Sequence, residues 1–314
     1  MINEMSYEGK MLKDLDMPAR NKVENAIIVA LFKHNGVIKE FGTGKEIVNE
    51  IANEFNLSKK QRNAYLETIY RKENRIKKSL LWHRLLFRAA DTLAKEKLVS
   101  RPTQTLKLTN KREWMLTESG FDKALKLLNI SYAEKESLPI KSFEVQKTVK
   151  KLKTTPRPIN YNPFNSKKNV IKVNKEISIR TRSFRFAVIE AYDFKCAVCG
   201  LKICSPDFLS WEVEAAHIVP HRVMGKDDLL NGLALCHLHH WAFDVGWFTL
   251  LDNYQIQVST LCRSLSPDFG KIGDYDLLKS IWRSRIILPN NKNTYPHLNS
   301  IRWHQQNVFI NKRN

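Results

Sequence analysis

Two short stretches, Cys196-Ala-Val-Cys199 and Cys236-His-Leu-His239, decide how the C-terminal half of this chain folds. Each stretch begins with a cysteine and carries a second soft metal ligand three positions later. Two such pairs, some forty residues apart, can hold one tetrahedral zinc ion and close a small fold around it. The spacing therefore predicts a structural metal centre that joins two separate segments.

Further polar residues lie between and after the two pairs. They could hold a second, catalytic ion, and they are His217, Asn231, His240 and Asp244. Cys204 and Cys262 have no partner at ligand spacing, so we expect them to be buried small hydrophobic residues. The pattern thus predicts one metal centre for structure and one for chemistry.

Composition restricts the class of protein. The 314 residues are 43% hydrophobic, which is ordinary for one or two globular domains. The five cysteines are odd in number and all C-terminal, a poor basis for disulfides. No apolar run approaches the roughly 20 residues of a membrane span, and Met1 to Lys10 lacks the apolar core of a secretion signal. We expect a cytoplasmic protein that does not enter a membrane.

The charge points to a polyanionic partner. The formal net charge is +20, which favours nucleic acid over a membrane surface. Thirteen Lys and Arg against two Glu lie between 141 and 185, and residues 134–180 carry several prolines. This composition predicts a basic linker that contacts phosphates. The contacts expected there and just after it are Lys150, Lys151 and Arg182; a merely solvated linker is the alternative.

The N-terminal part changes from a helical to an alternating pattern. Apolar residues recur at helical spacing over 20–35 and 44–55, and a longer third helix is predicted from about 75 to 97. Short strands and a closing helix follow, at 98–100, 106–108, 113–117 and 117–128. Three helices, a β-hairpin wing and a helix form the order of a winged helix-turn-helix.

This segment resembles the winged-helix domain of Mrr-type restriction proteins, through Trp82 in the third helix and the junction Trp114-Met-Leu-Thr-Glu-Ser-Gly120. The resemblance implies a DNA-recognition domain over residues 1–133, whose third helix enters the major groove. The residues that it would present are Arg75, Lys77, Lys78 and Arg84. Two alternatives stay open: a solvated helix face, and a protein-interaction module.

Two strands and a helix are predicted around the metal ligands. Residues 211–219 and 231–235 have strand character, and a helix is predicted over 239–245. With Ala216-His-Ile-Val-Pro220 and Asn231-Gly-Leu-Ala-Leu-Cys236, this part resembles the ββα-metal fold of HNH endonucleases. The resemblance implies a nuclease domain over 181–314 and an α+β fold class for the whole chain.

The HNH resemblance implies roles for single residues. His217 matches the general base that takes a proton from water, Asn231 matches the residue that orients the base, and His240 matches a ligand of the catalytic ion. The residues left for structural zinc are Cys196, Cys199, Cys236 and His239.

One ligand of the catalytic ion departs from the family pattern. Many members carry Asp or His directly before the base, where this chain has Ala216. Asp244 lies one helical turn after His240 and is the preferred replacement. Glu214, three residues before the base, is the second candidate.

The C-terminal tail carries Ile286-Ile-Leu-Pro289, Tyr295-Pro296 and Trp303-His304. It resembles the extension of bacterial HNH restriction enzymes, including those directed at phosphorothioated or otherwise modified DNA. We expect its aromatic residues, and His304 with them, to pack on the nuclease core.

These inferences predict a DNA endonuclease with a structural Zn²⁺ and a catalytic Mg²⁺ or Mn²⁺. Its substrate would be double-stranded DNA, including modified DNA, and restriction of foreign DNA would be its role. A homodimer is a further expectation, since double-strand cutting by a single-site nuclease commonly needs two copies. The alternative is a zinc-containing DNA-binding regulator that cuts nothing.

Overall fold

The structure, a computed structural model, describes residues 6–70, 75–165, 174–208, 210–263 and 275–311. The chain divides into two compact units, Met1–Gln146 and Lys147–Asn314. Both mix helices with short antiparallel strands, which agrees with the predicted combination of helix and sheet. Among the described residues, no helix is both long and apolar enough to cross a bilayer.

The first unit combines helices with a small sheet and a hairpin. The helices are α1 (Tyr7–Asp14), α2 (Arg20–Lys33), α3 (Lys45–Glu54), α4 (Lys59–Arg62), α5 (Leu81–Lys95), α6 (Pro102–Thr109) and α7 (Glu118–Leu127). The strands are β1 (Val37–Lys39), β2 (Tyr65–Tyr70), β3 (Arg75–Leu80), β4 (Val99–Ser100) and β5 (Glu113–Leu116). An antiparallel sheet has the order β1-β5-β4, and β2 pairs with β3 separately.

Helices α2 and α5 form the centre of its core. Ile27 on α2 and Leu86 and Leu93 on α5 are fully buried, and each such side chain stabilises the fold by about 1.5–3 kcal/mol. Trp82 of α5 is also buried, and its indole nitrogen donates a hydrogen bond of 3.2 Å to the carbonyl of Val48. The helical periodicity of the sequence is therefore reflected in the packing of both helices.

The third helix is shorter than predicted, because residues 75–80 form strand β3. β3 pairs residue for residue with β2, from Tyr65 opposite Leu80 to Tyr70 opposite Arg75. Lys and Arg are good helix formers, and the cross-strand pairing, which is a tertiary interaction, overrides that preference. Helix α5 begins only at Leu81.

The strand predicted at 106–108 is wrong, since these residues lie in helix α6. Pro102 occupies the first turn, where it is tolerated, and Asn110 ends the helix with a left-handed φ of 62°. Three residues with two leucines fit a strand and a helix equally well. β4 and β5 pair with each other directly, and α6 lies between them in sequence.

Part of residues 134–180, the predicted linker, is helical. Helix α8 (Phe143–Thr154) lies within this range, and helix α9 (Asn174–Ala191) begins there. Val145 and Val149 are buried on one face of α8. Their i, i+4 spacing is a helical signal, but the lysines around them obscured it.

The second unit continues from α9 with the elements that carry the metal ligands. The ligand-bearing elements are β6 (Val213–His217), β7 (Gly232–Cys236) and α10 (His237–Asp244), and they are followed by β8 (Phe248–Leu250), β9 (Ile256–Val258), α11 (Asp276–Ser280) and α12 (Leu298–Asn307). β6 and β7 are antiparallel, with His217 opposite Gly232, and β8 pairs with β9. Two strands followed by α10 agree with the predicted ββα order.

Helix α9 packs closely against this hairpin. Phe184, Val188 and Gly232 meet there, and a Cβ atom on Gly232 would lie 2.4 Å from a methyl group of Val188. Such a distance is far inside van der Waals contact, so glycine is required at the start of β7. Asn231 thus supplies a polar side chain, and Gly232 allows α9 to approach the start of β7 closely.

The C-terminal tail also packs in the core of this unit. His304 of α12 is 2% exposed and stacks on Phe243, with ring centroids 3.7 Å apart. Its Nδ1 lies 2.9 Å from the Thr249 hydroxyl and its Nε2 lies 3.1 Å from the Phe243 carbonyl. Burial lowers the pKa of His304 to about 4, so the ring is neutral and serves packing, as the sequence predicts.

Candidate active site and metal centre

Three cysteines and one histidine converge at the start of α10. Their ligand atoms all lie within 4.8 Å of one another, in the set Cys196, Cys199, Cys236 and His239. The Sγ atoms of Cys199 and Cys236 are 4.0 Å apart, and Cys236 Sγ is 3.0 Å from Nδ1 of His239. Thiolates around a tetrahedral zinc ion lie about 3.8 Å apart. The group can therefore hold a metal ion with little movement.

Local backbone structure positions these ligands. The amide of Gly200 donates to the carbonyl of Cys196 at 2.9 Å, which forms a tight turn, and Gly200 has a φ of 75°. The amide of Ala197 donates to the carbonyl of Ala234 at 2.7 Å. This bond ties the first cysteine pair to β7, whose last residue is Cys236.

The protonation of the thiols fits a site for a cation. Hydrogen bonding by Cys236, together with His239, lowers the pKa of Cys196 to about 3. The same contact with Cys196, reinforced by burial, raises the pKa of Cys236. A divalent cation would allow all three thiols to ionise.

His217 stands at the end of β6, near the second cluster of polar groups. Its ring stacks on Phe184 of α9, with centroids 4.0 Å apart and planes inclined by 17°. Its Nε2 lies 2.8 Å from Oδ1 of Asp227. Within the described residues, Nδ1 of His217 has no hydrogen-bond partner. The ring is therefore fixed in orientation and keeps one nitrogen available.

Asn231 fastens the loop that follows His217. Its Oδ1 accepts a hydrogen bond of 2.8 Å from the amide of Val219, and its Nδ2 donates to the carbonyls of Val219 and Lys226, both at 3.0 Å. The side chain is completely buried. All of its bonds go to backbone groups, so it can orient the loop around the base but is not placed as a ligand.

His240 lies between Glu214 and Asp244, the two acids that the sequence suggests as ligands. Its Nδ1 is 2.7 Å from Oε2 of Glu214, and its Nε2 is 3.5 Å from Oδ2 of Asp244. Glu214 is also 3.3 Å from Nε2 of His237. Burial alone would raise the pKa of Glu214, but its contacts with His240 and His237 lower it overall. Glu214 is thus an ionised group already paired with two histidines.

Asp244 faces the same cleft as His217. The cleft is lined by His217, Pro220, Arg222, Asp244, His304 and Val308. Partial burial raises the pKa of Asp244, although the charges of His240 and Arg222 act against this shift. A cation in the cleft would stabilise the ionised form of Asp244 and so counteract the effect of burial on its pKa. In the described part of the chain, the metal-ligand atoms of the Cys–His cluster already lie close together. The ligand atoms of Glu214, Asp244 and His240 do not converge in this way.

The predicted DNA contacts differ in their surroundings. Lys150 and Lys151 are exposed on α8, and Lys78 is exposed and paired with Glu67 at 2.9 Å. Arg84 is bonded to the buried Glu8 at 2.9 Å instead of being presented to a groove. The positions Arg75 and Lys77 belong to β3, but their side chains lie outside the described residues.

Arg182 corrects a sequence prediction. Its side chain is 1% exposed, on the buried side of α9, so it cannot reach a phosphate in this structure. The basic composition around it concealed that Arg182 lies two helical turns before the buried Ile189, on the same face of α9. Of the other polar residues noted in the sequence, Cys262 is buried, whereas Cys204 is only partly buried.

Sequence reasoning did not identify Asp227 and Arg180. Asp227 contacts His217, and its other oxygen, Oδ2, lies 2.6 Å from Nε of Arg180. Arg180 lies in α9, before the first cysteine pair, and Asp227 lies in an irregular loop. The sole available signal was an acidic pair, Asp227-Asp228, ahead of Asn231.

Comparison with known proteins assigns part of this unit. Residues 196–251 match the model of a family described as HNH endonuclease. No curated protein matches the sequence. A solved structure of the modification-dependent TagI restriction endonuclease is similar, with 18% identity and a TM-score of 0.31. The match covers 46% of each chain, so this chain spans less than half of that protein. Within the second unit, residues 196–251 thus carry an HNH endonuclease domain.

Proposed function

We propose that this protein hydrolyses phosphodiester bonds in double-stranded DNA, with His217 as the general base. The observation that carries the proposal is the cleft that His217 shares with Asp244, which is itself next to His240. A base and a carboxylate that face one cleft can act on the same phosphate. The HNH match over residues 196–251 supports the same chemistry.

The proton transfers follow from the available nitrogen of His217. Water in the cleft gives a proton to Nδ1, and the resulting hydroxide attacks phosphorus, whose bond to the leaving oxygen breaks. Arg222 lines the cleft and supplies positive charge for a phosphate. A bound Mg²⁺ or Mn²⁺ would stabilise the negative charge that develops on the phosphate. Asp244 and His240 would hold this ion, with Glu214 as the alternative acid.

Cys196, Cys199, Cys236 and His239 would hold Zn²⁺ for structure. Three soft thiols and one imidazole match the preference of zinc over magnesium. The cluster links the segment after α9 to the junction of β7 and α10. Helix α9 carries Phe184, on which His217 stacks, and β7 pairs with the strand that ends at His217. Zinc would therefore stabilise the frame of the active site and take no part in proton transfer.

The first unit would recognise DNA as a winged-helix domain. The sheet order β1-β5-β4 and the succession α2, α3 and α5 support this proposal, although α6 occupies the position of a wing loop. Exposed Lys150 and Lys151 would add phosphate contacts. A buried Arg182 takes no part in this surface.

Restriction of foreign DNA, including modified DNA, would be the biological role. The sequence resemblances to restriction proteins support it, and a cytoplasmic location and a homodimer fit that role. A zinc-containing regulator that binds DNA without cutting it is the competing function, and a cleavage assay separates the two.

The test is cleavage of a supercoiled plasmid panel, unmodified and modified, with Mg²⁺ or Mn²⁺. We expect nicking or linearisation by the intact protein and loss of it in His217→Ala. His34→Ala is the matched control, because His34 is an exposed histidine paired with Glu50 in the first unit. Binding without cleavage on every substrate would favour the regulator, and equal cleavage by His217→Ala would refute the base assignment.

A further inference from the structure

We propose that Asp227 is a positioning residue that holds the proton of His217 on Nε2 and so directs Nδ1 towards the attacking water. This inference deepens the proposed function, because it rests on His217 acting as the base. Nothing in the HNH match over residues 196–251 assigns a role to Asp227, although the match includes this position.

The contact between the two side chains has the geometry of a hydrogen bond. Oδ1 of Asp227 lies 2.8 Å from Nε2 of His217, and the side chain of Asp227 is 3% exposed. An ionised carboxylate only accepts hydrogen bonds. The neutral imidazole must therefore carry its proton on Nε2, which leaves the lone pair of Nδ1 free to accept a proton.

Asp227 is kept ionised by its neighbours. Burial alone would raise its pKa, but the bond to His217 and the charge of Arg180 outweigh burial and lower the pKa overall. Oδ2 of Asp227 lies 2.6 Å from Nε of Arg180. The two carboxylate oxygens thus face different basic groups, one through a hydrogen bond to His217 and the other through an ion-pair contact with Arg180.

Other charged groups surround the pair. His221 and Arg222 follow β6, and His221 adds positive potential at Asp227. Asp244 of α10 lines the same cleft as His217 and Arg222. Asp227 is the acid among these with a hydrogen bond to His217 in the described residues, so its charge acts most directly on the imidazole.

The loop that carries Asp227 is held on both sides. On one side, the amide of Lys226 donates to the carbonyl of Pro163 at 2.8 Å, and Nδ2 of Asn165 donates to the carbonyl of Gly225 at 2.9 Å. On the other side, the hydroxyl of Tyr161 donates to Oδ1 of Asp228 at 2.7 Å. Residues 161–165, which the sequence assigned to a linker, therefore act as a strap across this loop.

The neighbouring acids Asp227 and Asp228 have different roles. Asp228 accepts from Tyr161 and from the amide of Leu230 at 3.1 Å, so its bonds maintain the loop. Asp227 points to His217 and Arg180. Stacking of His217 on Phe184 fixes the ring plane, and the carboxylate then selects which nitrogen carries the proton. Position and tautomer of the base are thus set by different residues.

The direct test is the tautomer of His217, measured in the intact protein by ¹⁵N NMR of histidine-labelled samples. His217→Gln assigns the signal. We expect a neutral ring protonated on Nε2, and a mixed or inverted population in Asp227→Asn. Protonation on Nδ1 in the unmodified protein would overturn the proposal, and this measurement needs no cleavage activity.

Kinetics provide the second readout. Asp227→Asn should lower the single-turnover cleavage rate by about tenfold to a hundredfold, less than the roughly 10² to 10⁴ expected for loss of the base itself, without weakening DNA binding. Asp227→Glu should recover part of the rate.

Asp252→Asn is the matched control, since Asp252 is a half-exposed carboxylate paired with Arg302 at 2.6 Å in the same unit. A purely structural Asp227 would lower the unfolding temperature and leave the tautomer unchanged, which would overturn the proposal. If the intact protein cuts no DNA but its tautomer depends on Asp227, the proposed nuclease function fails while the positioning role stands.

Discussion

Oε2 of Glu214 and Nδ1 of His240 are 2.7 Å apart. This bond joins strand β6 to helix α10 and uses the ring nitrogen that faces away from Asp244. Nε2 of His240, 3.5 Å from Asp244, is therefore the better placed nitrogen for an ion in the cleft. Glu214 would hold the ring, and Asp244 would share the ion.

This division of roles predicts different effects for two isosteric substitutions. Asp244→Asn should raise the Mg²⁺ concentration needed for half-maximal cleavage by about tenfold to a hundredfold, as expected for loss of a contact at a metal site. Glu214→Gln, which can still accept from His240, should raise it less. A metal titration of cleavage rate measures both, and the reverse order would identify Glu214 as the ligand.

The cysteine cluster predicts a metal-dependent stability of the second unit. Cys196→Ser should lose bound zinc and lower the unfolding temperature, because the metal and the fold stabilise each other. Zinc content by mass spectrometry and thermal unfolding provide the measurements. Cys204→Ser, a partly buried cysteine outside the cluster, should keep both values; one zinc per chain in Cys196→Ser would contradict the assignment.

A buried ion pair stabilises the first unit. Nζ of Lys135 lies 2.9 Å from Oε2 of Glu118, and both side chains are 2% exposed. Lys135→Met would leave Glu118 with an uncompensated buried charge, so we expect a loss of about 3–5 kcal/mol in the free energy of unfolding. Urea denaturation measures it. Lys95→Met, at an exposed pair with Asp91, should change stability by less than about 1 kcal/mol.

The same lysine predicts a pH dependence. Burial lowers the pKa of Lys135, but hydrogen bonds to Asp122 and Glu118 outweigh this and raise it above 10.5. Its contribution to stability is therefore complete below pH 10.5 and is lost as the pH rises through the folded-state pKa. Lys135→Met should lack this alkaline loss, and an identical alkaline profile in both proteins would argue against the pair.

Exposed Lys150 and Lys151 predict an electrostatic component of DNA binding. Replacing both with Ala should weaken binding similarly for all sequences and make the slope of log K against log salt less steep by about two, since each phosphate contact contributes roughly 0.9. Fluorescence anisotropy over a salt series measures the slope. The double Arg variant keeps both charges and should match the original; an unchanged slope in the Ala variant would remove these residues from the interface.

Local motifs allowed much of the second unit to be predicted. The spacing of Cys196, Cys199, Cys236 and His239 specifies a cluster because ligand geometry restricts it, and these atoms do lie together. The order of β6, β7 and α10 follows from the same short segment. Periodicity likewise located α2, α3 and α5, because each buries a continuous apolar face.

Features that depend on distant contacts could not be predicted in this way. Strand β3 exists through pairing with β2, and Arg182 is buried because α9 turns that face inward. Asp227 reaches His217 only after the intervening loop has folded back. No local pattern distinguishes this acid from its neighbour Asp228, whose bonds are structural.

The central claim is that His217 drives DNA cleavage, and single-turnover kinetics test it most directly. Protein and end-labelled duplex are mixed without divalent ion, binding is measured, and Mg²⁺ starts the reaction. We expect His217→Ala to bind with unchanged affinity and to cut roughly 10² to 10⁴ times more slowly. Equal cleavage rates for the two proteins at saturating DNA would contradict the account.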